Sequence, residues 1–562
     1  MHEGGKKGGR PTPQIALKVD QAGSRILAEL AAVLALAAIL RIIGLGRTPL
    51  WQDEANTVLI SWRPFFDIAN ALSRDGNPPG FYMLLHFWMK LFGSTEAAAR
   101  SLSTVFGILC VGGTYLAARI LLPRRRYAAI AASSIAAVSP LAIYYSQECR
   151  MYTLTPLLGL AAFVTLHEAL CRRSIRLMLA HAVTLAAGLY THNYCIFLLP
   201  LGPAVALFVP GNLGRTRALL WTSAAAALAV LLYSPWIPIL LRQSRSGVDA
   251  WIPGIWKQTP PAMALFRSVE VMGVAGAYPK YLRHLSSSHA QVMVPVLWAA
   301  LRVIGNSLSA VFLVLGFTSF VRRREEREVG FRLGLFLVVP LLVPYLVSFV
   351  VKPIYLVGRY EMVAFTAFAV LVGGGFDAAF RVKDPAKRIG AFVSAILWLG
   401  AAALIIVAAL SVRPNEEDRS LALWLRDNTR PADIVVLPGY TRVVPEYYKG
   451  LSGAQGTWVS FPEDVAQHLG WFDDEKLLRR PDETQAEAKV FAGHLAQIRP
   501  AGGRVLVVAS AMTPAKINEW LVTALAIPLG KMTVYRSAPH YVVAFEPQEQ
   551  AESPGRILPL EK

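Results

Sequence analysis

The stretch LAELAAVLALAAILRIIGL (27–45) is followed within a few residues by WQDEANTVLISW (51–62). About 20 apolar residues in a helix, each rising 1.5 Å, are enough to cross the hydrocarbon of a bilayer, and the first stretch has that length. It is longer than a signal-peptide core and lacks a small-residue cleavage site, so it reads as a retained span. The second stretch sets two adjacent carboxylates, Asp53 and Glu54, between Trp51 and Trp62, just past the end of that span. Charge at a membrane boundary is costly unless it has a task.

The rest of the chain repeats the first signal. Its 562 residues are 54% hydrophobic with mean hydropathy +0.43, which excludes an ordinary soluble domain. Eleven apolar segments are expected to span a membrane: 26–46, 97–121, 127–145, 152–170, 177–191, 194–210, 217–240, 291–320, 331–351, 361–380 and 389–411. The 291–320 run is too long for a straight span and is expected to begin outside the bilayer. The fold class is therefore a polytopic α-helical membrane protein.

The net charge of +19 would suggest nucleic acid in a soluble protein. Here the basic residues gather in alternate loops: RRR (124–126), CRRSIR (171–176), GRTR (214–217), RRREER (322–327) and RVKDPAKR (381–388). Cytoplasmic loops carry that excess, so the N-terminus lies inside and no nucleic-acid partner is expected. An odd number of spans then leaves the C-terminus outside, together with Asp53 and Glu54. The chain divides into a cytoplasmic tail (1–25), a membrane domain (26–411) with a first outer loop at 47–96, a region at 412–550, and a disordered tail (551–562). Within 412–550, strand-like IVVL (434–437), RVLVVA (504–509) and YVVAF (541–545) alternate with helical stretches, which predicts an extracytoplasmic α/β domain. No Gly-x-Gly-x-x-Gly follows a strand, so nothing supports a dinucleotide site. The four cysteines show no metal spacing; Cys149 and Cys195 both fall near the outer face, where a bridge is open but two free thiols are the simpler expectation.

Four polar clusters share the outer face. Asp53-Glu54 is either a solvated acidic pair or a general base at the interface. RDGNPPGFYMLLHFWMKLFG (74–93) combines a rigid Asn77-Pro78-Pro79-Gly80 turn with an aromatic stretch that reads as an interfacial helix, or simply an anchor. YYSQECRMYTL (144–154) concentrates Gln147, Glu148, Arg150 and Tyr152, as an aromatic belt with a snorkelling arginine or as a site. The fourth is split between Tyr190-Thr191-His192-Asn193-Tyr194 and the segment 352–361, where Arg359 and Tyr360 precede a helix suited to holding an anion. Carboxylates and cations at headgroup depth suit a substrate with one anionic group and one hydroxyl to be activated.

In order along the chain these are Asp53-Glu54, then Pro78-Pro79-x-x-Tyr82, Ser146-Gln147-Glu148-x-Arg150-x-Tyr152, Tyr190-Thr191-His192-x-Tyr194 and Gly358-Arg359-Tyr360-Glu361. Over residues 26–411 this order resembles the GT-C glycosyltransferases, in the branch like protein O-mannosyltransferases and the lipid A aminoarabinose and galacturonic acid transferases. The resemblance implies an integral protein of the bacterial inner membrane. It would transfer one sugar, with inversion, from a polyprenyl-phosphate donor to a protein, lipid or glycan acceptor on the extracytoplasmic side. It implies Asp53 as general base, with Glu54 orienting it or binding acceptor hydroxyls. It further implies Arg150, Arg359, Tyr360 and His192 around the donor phosphate, and Gln147, Glu148, Tyr152 and Tyr82 around sugar or acceptor. Many relatives have His-Pro-Pro where this chain has Asn77-Pro78-Pro79. No ligand spacing demands a metal, although a divalent cation near the carboxylates is compatible with the resemblance.

Two other readings fit parts of the same pattern. A transporter or flippase for a polyprenyl-linked sugar would need paired repeats and polar residues at the midplane. An O-antigen ligase-like enzyme would place its key residues in a large late loop, for which 241–290, with Arg242, Arg245, Trp251, Trp256, Lys257, Arg267 and Arg283, is the candidate.

Overall fold

The computed structural model describes residues 13–73, 75–245, 252–253, 256, 261–274, 293–411, 417–463, 475–509, 513–537, 540–547 and 557–559. Residues 1–12 of the expected cytoplasmic tail, most of the expected C-terminal tail, and Trp251, Lys257 and Arg283 lie outside these residues.

The first helix, α1 (Pro13–Ile42), starts well before residue 26, because Pro13 suits a first turn and the segment after it has good helix formers. The outer loop then folds into three helices: α2 (Gln52–Trp62), α3 (Phe65–Leu72) and α4 (Gly80–Phe92). Next come α5 (Glu96–Leu121), α6 (Arg126–Val138), α7 (Pro140–Ser146), α8 (Leu154–Arg172) and α9 (Ile175–Thr191). A 3-10 turn at Asn193–Leu198 leads to α10 (Leu201–Phe208), α11 (Arg215–Tyr233) and α12 (Ile237–Arg245). The remaining helices of this part are α13 (Pro261–Met272), α14 (Met293–Arg322), α15 (Arg327–Val350), α16 (Met362–Phe380) and α17 (Pro385–Ser411). Each of the eleven predicted apolar segments is mostly helical over its described residues. Among the described residues seven helices are long and apolar enough to cross a membrane, or eight if α6 and α7 form one broken span; Ile175–Thr191 and Asn193–Phe208 are shorter.

The axis bends by 56° between α6 and α7. Pro140 has no N–H to give back, so carbonyls at the end of α6 lose their helical donors. Arg41 of α1 supplies replacements: it donates to Ala136 O and Ala137 O, each at 2.9 Å, and to Ser146 Oγ at 3.1 Å. A fully buried arginine inside an apolar helix thus acts as a cap for its neighbour.

α16 is the central helix; only its Ala378 and Phe380 are not buried. It packs closely because it presents Gly373, Gly374 and Gly375 to its neighbours. A Cβ on Gly375 would collide with the Phe312 carbonyl of α14, and one on Gly373 with the backbone of Ala132 in α6.

Residues 417–559 form a six-stranded sheet in the order β2-β1-β3-β5-β4-β6. Its strands are β1 (Ile434–Pro438), β2 (Thr457–Phe461), β3 (Val505–Ala509), β4 (Met532–Ser537), β5 (His540–Phe545) and β6 (Ile557–Pro559). β1 pairs in parallel with β2 and β3, while β5 runs antiparallel to β3 and β4. Helices at Pro481–Ile498 and Ala515–Leu529 cover one face through Phe491, Leu495, Leu521 and Leu525; Leu421 and Leu425, in the helix Glu417–Asn428, cover the other. One correction concerns the tail expected at 551–562. Its apolar Ile557–Pro559 adds an edge strand parallel to β4, using backbone groups that β4 would otherwise leave open.

This sheet domain is fastened to the outer loop. The Tyr447 ring stacks on Trp62 at 5.6 Å, and its hydroxyl donates to Ser94 O at 2.9 Å. Tyr448 accepts the Leu50 N–H at 3.3 Å and donates to Glu96, which also pairs with Arg419 at 2.8 Å.

The glycine contacts make a prediction. Gly375→Ala is expected to cost about 1–3 kcal/mol through overpacking. The measurement is thermal unfolding of the purified protein, with Gly390→Ala, which has open space around it, as the unchanged control.

Candidate active site

Asp53 and Glu54 are neighbours in α2, so about 100° of helix separates their side chains. Glu54 turns inward and is fully buried. Its Oε1 accepts from Arg100 Nε at 2.8 Å and from Cys149 N at 2.7 Å; its Oε2 accepts from Arg100 Nη2 at 2.6 Å and from Trp51 N at 3.3 Å. Arg100, from α5, spends its remaining donors on the carbonyls of Leu45, Thr48 and Pro49. Both oxygens of Glu54 are consumed, and it does not line the cavity. The expectation that it binds acceptor hydroxyls is corrected on that ground: it clamps α2, α5 and the 147–150 turn together.

Asp53 turns the other way and retains 26% of its exposure. It faces a cavity of about 520 Å³. Arg359 Nη1 stands 3.7 Å from its Oδ2. Arg150 donates to Thr57 Oγ1 at 2.8 Å, and Thr57 donates in turn to Asp53 O at 2.7 Å, so the second arginine braces the same turn of α2. Lys352 adds a third cation to the lining. Arg359 is presented by a tight turn: Tyr145 donates its hydroxyl to Gly358 O, and Glu361 Oε2 accepts the Gly358 N–H at 2.9 Å.

Aromatic rings surround these charges. Tyr194 stacks on Tyr360 at 4.1 Å, and His192 meets Tyr360 at 5.5 Å and Tyr152 at 5.8 Å. Burial, then Arg150 and Arg359, push the His192 imidazolium down to about 3, so the ring is neutral at working pH. Its Nδ1 accepts the Tyr194 N–H at 3.0 Å, which leaves the proton on Nε2. His192 can donate one hydrogen bond to an anion but brings no charge. Ile196, Phe197, Leu240, Leu241 and Ile252 form an apolar wall of the same cavity.

Of the remaining sequence candidates, Tyr152 lines the cavity and Tyr82 lies just behind it, its hydroxyl 3.4 Å from Arg150 Nη1. Gln147 and Glu148 do not line it. Gln147 donates to Arg41 O at 3.2 Å and Ile43 O at 2.9 Å, capping the end of α1, and buried Glu148 accepts from the Tyr144 hydroxyl. All four cysteines are free thiols. No group of three or more His, Cys, Asp and Glu side chains that could hold a metal ion occurs among the described residues.

Sequence reasoning missed several lining residues. Asp75 and Asn56 were hidden inside stretches read for other residues. Tyr440 comes from the sheet domain, and its carbonyl accepts from Gln52 Nε2 at 2.8 Å. Burial, then Asp53 and Asp75, push its hydroxyl above the ordinary tyrosine range, so it stays a proton donor. No local signal marks Tyr440; only the docking of the domain brings it to the cavity.

Residues 76–239, just under a third of the chain, match the family described as dolichyl-phosphate-mannose-protein mannosyltransferase. No curated protein matches the sequence as a whole. Among solved structures, the chain is similar to ArnT from Cupriavidus metallidurans bound to undecaprenyl phosphate, at 14% identity and TM-score 0.58, over 94% of this chain and 99% of that one. It is also similar to the Archaeoglobus fulgidus oligosaccharyltransferase tethered with an acceptor peptide, at 12% identity and TM-score 0.52, over 93% of this chain and 74% of that one. The chain has the fold of the GT-C glycosyltransferases, and the resemblance read from its motifs is borne out.

Two predictions follow from the buried carboxylates. Arg100→Met leaves Glu54 buried without its cation and is expected to destabilise by about 3–5 kcal/mol, measured as lost thermal stability; Arg100→Met with Glu54→Leu should recover part of it. Glu361 is buried and accepts from Ser268 Oγ at 2.6 Å and from the Gly358 N–H at 2.9 Å, so Glu361→Leu, which leaves both donors without their acceptor, is expected to destabilise by about 1–3 kcal/mol in the same measurement.

Proposed function

We propose that this protein transfers one sugar from a polyprenyl-phosphate donor to an acceptor hydroxyl on the extracytoplasmic face, with inversion and with Asp53 as the general base. The observation that carries this is the pairing of a partly exposed carboxylate with Arg359 at 3.7 Å in a cavity that also has an apolar wall. A base, an anion site and a surface for an isoprenoid chain then meet in one place. The undecaprenyl phosphate bound by the ArnT neighbour is the matching ligand class. The orientation follows the basic loops: N-terminus cytoplasmic, sheet domain outside.

In this reading the donor phosphate lies against Arg359 and Arg150, with the His192 Nε2–H as a neutral donor, and the lipid runs along Ile196, Phe197 and Leu241. The acceptor oxygen attacks the anomeric carbon while Asp53 takes its proton. The bond from that carbon to the phosphate oxygen breaks, and the electron pair leaves with the phosphate. Phosphate needs no proton to depart; the arginines neutralise the charge it gains. Arg359 has a further part. In the free protein it holds Asp53, and an incoming phosphate competes for the same guanidinium. Donor binding thus loosens the carboxylate as the base is needed.

Transfer of radiolabelled sugar from a panel of polyprenyl-phosphate sugars tests this. Asp53→Asn is expected to lower kcat by about 10²–10⁴-fold with the protein still folded, and Arg359→Gln to raise the donor KM. Normal transfer by Asp53→Asn would rule out the assignment.

A further inference from the structure

One part of the cavity lining is used by neither the base nor the cations. Asp75, in the turn between α3 and α4, is 5% exposed. It accepts from Asn56 Nδ2 at 2.9 Å, from Asn77 Nδ2 at 3.1 Å and from the Gly76 N–H. The other amide nitrogens around it are committed as well. Asn193 Nδ2 donates to Gly76 O at 2.7 Å, and Gln243 Nε2 to Leu72 O at 2.7 Å. These commitments fix which way each asparagine points. Asn56 Oδ1 and Asn193 Oδ1 are left with no donor among the described residues, and Asn56 is only 4% exposed.

Buried amide oxygens without donors are costly. Two of them beside an anchored carboxylate make a surface that accepts hydrogen bonds and carries negative charge. Hydroxyl groups satisfy such a surface. Another carboxylate is repelled by it. Asn56 also stands one helical turn beyond Asp53 on α2, so the acceptor surface adjoins the proposed base, whereas Arg359 contacts the base itself.

We infer that Asp75, Asn56 and Asn193 form the subsite for the hydroxyl-bearing ring of the transferred sugar, and that they exclude a sugar carrying a carboxylate. The inference rests on the glycosyltransferase reading: with the phosphate held by Arg359 and Arg150, the ring it carries meets the next polar surface along α2. A neutral hexose or pentose fits there and a uronic acid does not.

The test measures binding without any acceptor, using the full-length protein in lipid nanodiscs. Three probes are compared: undecaprenyl phosphate, the same lipid carrying a neutral hexose, and the same lipid carrying a hexuronic acid. The wild type is expected to bind the neutral conjugate at least about tenfold more tightly than the bare lipid, and the uronic conjugate no more tightly than the bare lipid. Asp75→Asn is expected to lose about tenfold of the neutral preference, the scale of one charge-assisted hydrogen bond, and to gain affinity for the uronic conjugate. Retained affinity for bare lipid phosphate shows that the variant is folded; where it is lost, Asn193→Ala carries the same expectation. Equal binding of both conjugates by the wild type overturns the inference. So does an undiminished neutral preference in the variants, which would move the surface to the acceptor side. Failure of the glycosyltransferase reading looks different: no label is transferred from any donor, while the discrimination in binding persists.

Discussion

Everything at the cavity depends on one buried ion pair. Glu54 and Arg100 lie where water does not reach, so neither charge is tolerable without the other. Satisfying them draws together four pieces of chain: the loop after α1, the start of α2, a turn of α5 and the backbone at Cys149. Once Glu54 is turned inward, helical geometry turns Asp53 outward. The cavity-facing orientation of one carboxylate is thus set by the burial of its neighbour, Glu54, which fixes conformation.

The cavity has an internal division of charge. Arg359, Arg150 and Lys352 give part of its lining a positive character, and Asp75 with its asparagines gives another part a surplus of acceptors. Asp53 contacts the first through Arg359 and adjoins the second through α2. His192 stands among the cations yet is kept neutral, first by burial and then by Arg150 and Arg359, so it supplies direction without charge. An amphiphile whose phosphate separates an isoprenoid from a sugar has the same sequence of characters: apolar, anionic, hydroxylic.

The fold was legible because the bilayer enforces it. Apolar length identifies helices with little help from propensity, although among the described residues only seven, or eight with the bent pair, are long and apolar enough to cross a membrane. What composition could not show was the break at Pro140 and the arginine that caps it, since Arg41 reads as an exception in an apolar run. The cavity lining was legible in part from polar residues at the ends of spans: Asp53, Arg150, Tyr152, His192, Arg359 and Tyr360 all line one cavity. It was misread where adjacent polar residues face opposite ways. Glu54, Gln147 and Glu148 share motifs with true cavity residues, but their directions depend on helix phase and on partners far along the chain. Asp75 was passed over because Asp-Gly-Asn reads as a turn, and Tyr440 because its sequence neighbourhood belongs to another domain.

The docking of the sheet domain also has a bearing on when the cavity becomes complete. Tyr440 is made long after the membrane helices, and it reaches the cavity only when Tyr447, Tyr448 and Arg419 have engaged the outer loop. A ribosome still at work on the last spans has therefore produced a bundle that lacks part of its lining. Docking of the sheet domain, about a quarter of the chain, completes the lining, so the cavity takes its final form only after the helical bundle that surrounds it has been made.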